Sequence, residues 1–262
     1  MTTLAAAAVA ILKTPSPAEK CRLTREASAL WTAGGMEVGT CAPPDRPARP
    51  EAPKLCPPRE MPKRSSGPVG RIALMHALAH IELNAIDLAW DIVARFTDRD
   101  LPRGFYDDWV RVALEEALHF ELLQDILAAR GATYGDFPAH DGLWEAAVST
   151  ADSLEARLAI VPLTFEARGL DTTPGSLARL RGHPDTEDIV KALDIIYRDE
   201  IGHVAAGARW FSWLADLAGV DAAGAYHALL RERYKGGLKP PFNAEARAEA
   251  GMPPEWYEPL AR

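Results

Sequence analysis

Two stretches of this chain carry the same pattern of ionisable residues at the same distances. Glu116 and His119 stand 34 and 37 residues after Glu82, and Glu200 and His203 stand 34 and 37 residues after Glu166. Each of the four glutamates lies inside an apolar stretch: HIELNAI, EEALHF, LTFEARG and DEIGHV. A carboxylate buried among such neighbours without compensation costs several kcal/mol. The chain can therefore fold compactly only if these groups share a partner. In Glu116-x-x-His119 and Glu200-x-x-His203 the i, i+3 spacing sets both side chains on one helical face, about a turn apart. The pattern predicts two helical hairpins related by a pseudo-two-fold axis, each supplying half of one symmetric site.

The texture around these residues supports helices. After Gly70 the apolar residues recur at helical spacing, rich in Ala and Leu, without strand-like alternation. The expected class is all-α. The breaks place a first helix at residues 69–96 and a second at 105–130, with Asp100-Leu101-Pro102 between them and Gly131 as the stop. A third is expected at 143–170 and a fourth at 185–218, separated by a short helical piece near 174–180. A fifth follows at 221–234. Four long helices bearing Glu, Glu-x-x-His, Glu and Glu-x-x-His in that order match the ligand set of di-iron and di-manganese carboxylate bundles. The metal ligands read this way are Glu82, Glu116, His119, Glu166, Glu200 and His203.

The flanks differ in character. Ser16 as N-cap and Pro17 at the first helical position open a short helix near residues 15–34. Nine of the 21 prolines crowd between Pro43 and Pro68, where regular backbone hydrogen bonding fails and an extended strap is expected. The tail after Gly236 is rich in Pro and Gly but carries Phe242, Trp256 and Tyr257, aromatics suited to docking it onto the domain. The resulting divisions are 1–66 (helix and strap), 67–220 (four-helix bundle) and 221–262 (helix and docking tail). Cys21, Cys41 and Cys56 are an odd set with no C-x-x-C pair, against a disulfide framework or zinc ribbon. The segment 4–12 is short and lacks preceding basic residues, and no uninterrupted apolar run reaches a bilayer's width. A cytoplasmic chain with no membrane contact is expected. The net charge of -8 argues against nucleic acid as a partner.

Several residues need weighing one by one. A single Glu-x-x-His is usually a solvated helix face, and the doubled set at equal spacing is what lifts the pattern above that. Glu115 and Asp199 precede the ligand glutamates and lie four residues before His119 and His203, where they suit hydrogen bonds to imidazole N–H groups of the opposite half. The bland reading of both is surface charge. Tyr197, three residues before Glu200, can face the metals or fill core. His80 lies two positions, about 200° of helical rotation, from Glu82, so it and His76 are read as structural. Pro162, four residues before Glu166, predicts a kink or bulge beside the site.

The stretches MPKR near Met61, HALAHIELNAIDLAWD, EEALHFELL, YGDFPAHDGLW, VPLTFEARGLD, DEIGHVAAG, LKPPFN and EWYEPL resemble a bacterial family known as domain of unknown function 455. The six ligand positions resemble the wider ferritin-like superfamily. The resemblance covers most of the chain from about residue 43 onward. It implies a ferritin-like four-helix bundle with a dinuclear metal centre at those six residues. It supplies no substrate. The oxygenase pattern Asp/Glu-Glu-x-Arg-His is broken here, with Leu118 and Gly202 where Arg would stand.

Three functions compete. The favoured one is a di-iron oxidoreductase, an O2-dependent oxidase or hydroxylase in which two iron ions, or manganese in their place, are bridged by Glu116 and Glu200. An electron donor and a small organic substrate would be its partners, with the substrate in an apolar pocket lined by residues such as Phe120, Leu163 and Tyr197. The second is iron storage or peroxide detoxification, and the third a purely structural metal. The oligomeric state, a dimer among the options, is left open by the sequence.

Overall fold

The computed structural model describes residues 2–64, 67–183, 185–234 and 236–262. Among them the chain is all-helical, with no strand, and it divides into two compact units that meet in sequence between Trp144 and Glu145.

The first unit is built on two long antiparallel partners, α3 (Pro68–Arg95) and α4 (Arg103–Ala128), which pack along each other. Both lie within two residues of the spans expected. Their ends are fixed by Pro68 at the first helical position, by the 96–102 break, and by Gly131, whose φ of 68° ends α4 as only glycine does at low cost. Two shorter helices complete the unit, α1 (Leu4–Leu12) against α3 and α2 (Pro17–Thr32) against α4. Ser16 caps α2 by accepting from the Glu19 amide, as anticipated. α3 has the length and apolarity to cross a membrane, although charged and polar residues interrupt its apolar run. Here 72% of its most apolar window is buried, so it serves as a core helix.

α3 also carries a polar stripe: His80, Asn84, Asp87, Asp91 and Arg95, spaced by three and four residues along one face. The proline strap packs over it. Arg49 donates to Asn84 Oδ1 at 2.6 Å and pairs with Asp87, while Lys20 of α2 meets the other Asp87 oxygen. Arg95 binds Asp91 and the Pro44 carbonyl. Lys20 and Asp87 are both fully buried, so their charges are affordable only as a pair. Further along, the strap exchanges backbone bonds with the 132–141 loop through Cys56 N to Ala139 O and Ala139 N to Lys54 O.

The second unit holds α6 (Leu154–Ile160), a π-turn (Val161–Glu166), α7 (Ala167–Leu180), α8 (Glu187–Ala218) and α9 (Ala222–Arg233), with two short tail helices, α10 (Ala244–Glu249) and α11 (Pro254–Tyr257). The unbroken third helix expected at 143–170 is corrected. A separate helix, α5 (Gly142–Ser149), stops before α6 begins. Ser149 and Thr150 turn their hydroxyls back onto the Ala146 carbonyl, the buried Arg157 guanidinium takes the Ala147 carbonyl, and Ser153 caps the new start. At the other end α7 runs straight through Pro174, where a separate piece was expected. Pro174 cannot donate to the Leu170 carbonyl four residues back, and the side-chain amide of Asn243 donates to it instead. The bulge anticipated at Pro162 is the π-turn.

The tail docks as its aromatics implied. Trp256 packs on Phe211 and Tyr226, and Phe242 on Tyr257. Buried Arg247 closes the joint with two hydrogen bonds to Asp171, at 2.9 and 2.7 Å.

Candidate metal centre

In the first unit α3 and α4 bring three of the expected ligands together. Glu82 is 2% exposed, and Glu116 and His119 are fully buried. His119 Nδ1 lies 3.5 Å from Glu82 Oε2 and 3.4 Å from Glu116 Oε2. All three offer ligand atoms within 4.8 Å of one another. Glu116 and His119 share a face of α4 because of their i, i+3 spacing, and the α3–α4 pairing delivers Glu82 to that face.

Burial and, next, the neighbouring Glu116 charge push the Glu82 carboxyl well above the usual carboxylate range. Two carboxylates and an imidazole crowded in a water-poor site resist ionising together. A divalent cation resolves that conflict, and carboxylate-imidazole donors suit iron, manganese or zinc. The three residues therefore fit a metal ion by donor chemistry and by proximity.

In the second unit α8 carries Glu200 and His203 one turn apart, with His203 Nδ1 3.8 Å from Glu200 Oε2 and the imidazole fully buried. Glu166 is the last residue of the π-turn and is half-buried. Each unit thus contains one Glu and one Glu-x-x-His pair.

The other residues singled out fall elsewhere. The Tyr197 hydroxyl accepts from Asn243 at 2.8 Å, and its ring walls an open cleft of about 420 Å3 with Leu177, Ile201 and Ala246. The tail residue Asn243 captures it, something no local sequence signal shows. A smaller cleft lies between the strap and α3, and neither of these two clefts is lined by Phe120 or Leu163. Glu115 is half-buried on α4, and Asp199 lies 3.8 Å from Arg198. His76 and His80 are structural, as read. His76 Nε2 accepts the Gly135 amide, and His80 sits between the Tyr134 hydroxyl and the His140 carbonyl.

Comparison with known proteins places the chain in a family without adding an activity. Residues 13–258 match the family described as "Protein of unknown function (DUF455)". A protein of Haemophilus influenzae, named only as uncharacterized, is 41% identical over 253 residues, which cover 92% of this chain and 88% of the relative. No solved structure matches the chain.

Proposed function

We propose, from the premise that this chain belongs to the family Protein of unknown function (DUF455), that it is a carboxylate-bridged metalloprotein of ferritin-like type and acts as an O2-dependent oxidase or hydroxylase. The observation that carries the reading is the buried convergence of Glu82, Glu116 and His119. Glu166, Glu200 and His203 complete a ligand set for two metal ions, on the strength of their matching order and spacing. Iron bound by these residues would supply electrons to O2 and the oxidising power for an organic substrate.

The chain's own residues account for the rest. The glutamates hold charge where water is excluded, which the apolar neighbours Leu83, Ile86, Val112 and Ala113 enforce, all nearly or fully buried. Glu115 and Asp199 suit the imidazole N–H groups as orienting acceptors. The docked strap and tail, which a minimal store does not need, cover one side of α3 and of α8 respectively.

The test is anaerobic purification, metal analysis after iron reconstitution, and O2 uptake. Two iron ions per chain and stoichiometric O2 consumption without a growing mineral core support the reading. Hundreds of iron atoms per assembly support storage, rapid disproportionation of peroxide supports detoxification, and one ion or fewer per chain removes the dinuclear centre.

A further inference from the structure

We propose that Tyr226 is a positioning residue for the metal centre: its hydroxyl locks the π-turn that sets the rotational register of Glu166. The inference rests on the reading of Glu166 as a ligand.

A π-turn takes one residue more than an α-turn, and each residue advances a helix by about 100°. Whether residues 161–166 form a π-turn or a regular α-turn therefore decides, by about 100°, which way Glu166 and all of α7 face relative to α6. Isolated π-turns are intrinsically less favourable than α-turns, so this one needs supports, and four are present. Pro162 has no amide proton, and its ring conflicts with the Leu158 carbonyl in a regular helix. Gly207 of α8 leaves space for that ring, since a Cβ there would stand 2.6 Å from Pro162 Cβ. Thr164 places its hydroxyl 2.8 Å from the carbonyl of Ala159, five residues back. Tyr226 of α9 places its hydroxyl 3.0 Å from the Leu163 carbonyl and 3.0 Å from Thr164 Oγ1.

Of the two supports outside the segment, Gly207 only leaves space, whereas Tyr226 hydrogen-bonds to the segment itself. It is fully buried, with its ring held by Phe211 and Trp256. Burial raises the phenol to about 12, so it remains a proton donor at any working pH. Two hydroxyl protons serve three contacts, and in each arrangement the phenol ties the middle of the π-turn to α9. Nothing else about Tyr226 calls for a hydroxyl, since the aromatic packing needs only the ring.

The test uses the full chain and anaerobic titration with Co2+, read by calorimetry and by visible absorption. Tyr226→Phe keeps the ring and removes the hydroxyl. Its Co2+ affinity should fall about 10- to 100-fold, as orienting partners of metal ligands typically show, with a changed Co2+ spectrum. Trp31→Phe loosens a buried aromatic contact with Tyr106 in the first unit, touching neither Tyr226 nor the π-turn. It should lower Tm while leaving Co2+ affinity and spectrum as in the parent chain. Thr164→Val should weaken Co2+ binding in the same direction and Thr164→Ser should restore it, and this pair carries the test if Tyr226→Phe does not fold. Parent-like affinity and spectrum in Tyr226→Phe, or in Thr164→Val, would overturn the positioning role while leaving the metal centre standing. Failure of the parent chain to take up Co2+ would overturn the metal reading and this inference with it.

Discussion

Gly207 and Pro162 fit together as a hole and a plug: the ring of Pro162 fills the space where any other residue at 207 would place its Cβ, 2.6 Å from Pro162 Cβ and 2.8 Å from Cγ. Such approaches are shorter than van der Waals contact, so one helix must move if the hole is filled. Replacing Gly by Ala inside a helix ordinarily gains about 1 kcal/mol. Here overpacking opposes it, typically by about 1–3 kcal/mol. Gly207→Ala should therefore be net destabilising by about 1 kcal/mol in urea unfolding, against the propensity trend. A gain in stability would show that the π-turn yields freely.

The buried pair of Lys20 and Asp87, with Arg49 reaching in from the strap, predicts an asymmetric response to mutation. Asp87→Ala strands a fully buried ammonium and should cost about 3–5 kcal/mol. Lys20→Met combined with Asp87→Leu removes both charges and should recover most of that loss. Arg49→Ala should have its main effect on the strap, seen as faster limited proteolysis between residues 40 and 60. Equal damage from the single and double changes would show that shape, not charge, holds this region.

Much of this architecture could be read locally. The bounds of α3, α4 and α8 come from prolines, glycines and caps that lie beside the helices they limit, and the ligand pattern comes from spacing along single helices. The misread third helix is different in kind. Its break at residues 150–153 is made by Ser149, Thr150 and the buried Arg157 competing for carbonyls, and its continuation through Pro174 depends on Asn243, far along the chain. The same Asn243 donates to the Tyr197 hydroxyl, a contact that spacing around Tyr197 does not signal. The support that Tyr226 gives the π-turn is equally invisible, because an aromatic on an amphipathic helix reads as core whether or not its hydroxyl is used.

His80 gives a pH signature separate from the metal residues' own chemistry. Burial, and then the positive charge of Arg49, lower its pKa from 6.5 to about 4. Between those values the unfolded chain binds a proton that the folded chain refuses, so stability is full above pH 6.5 and declines as pH falls toward 4. The loss attributable to His80 is on the order of 3 kcal/mol. In His80→Gln, urea midpoints should decline less steeply over this interval, with His76, also lowered by burial, accounting for part of the residual slope. Parallel profiles for the two chains would show that His80 titrates normally.

Glu82 should give the opposite slope, and only without metal. Its carboxyl is raised by burial and by Glu116, so the metal-free folded chain holds a proton that the unfolded chain has released. That contribution is intact below the ordinary carboxylate range near 4.5 and is lost as pH rises through the raised value. Tm measured in chelator should therefore fall from pH 5 toward pH 8 in the parent chain and fall less in Glu82→Gln. Added metal should reverse the ranking at pH 8, because the cation stabilises the ionised carboxylates of the parent and the amide offers it a poorer ligand. His119→Ala should likewise lose metal, while Glu51→Ala in the strap should retain it by elemental analysis. A Glu82→Gln chain that binds metal as the parent does, or gains nothing at pH 8 in chelator, would remove Glu82 from the centre.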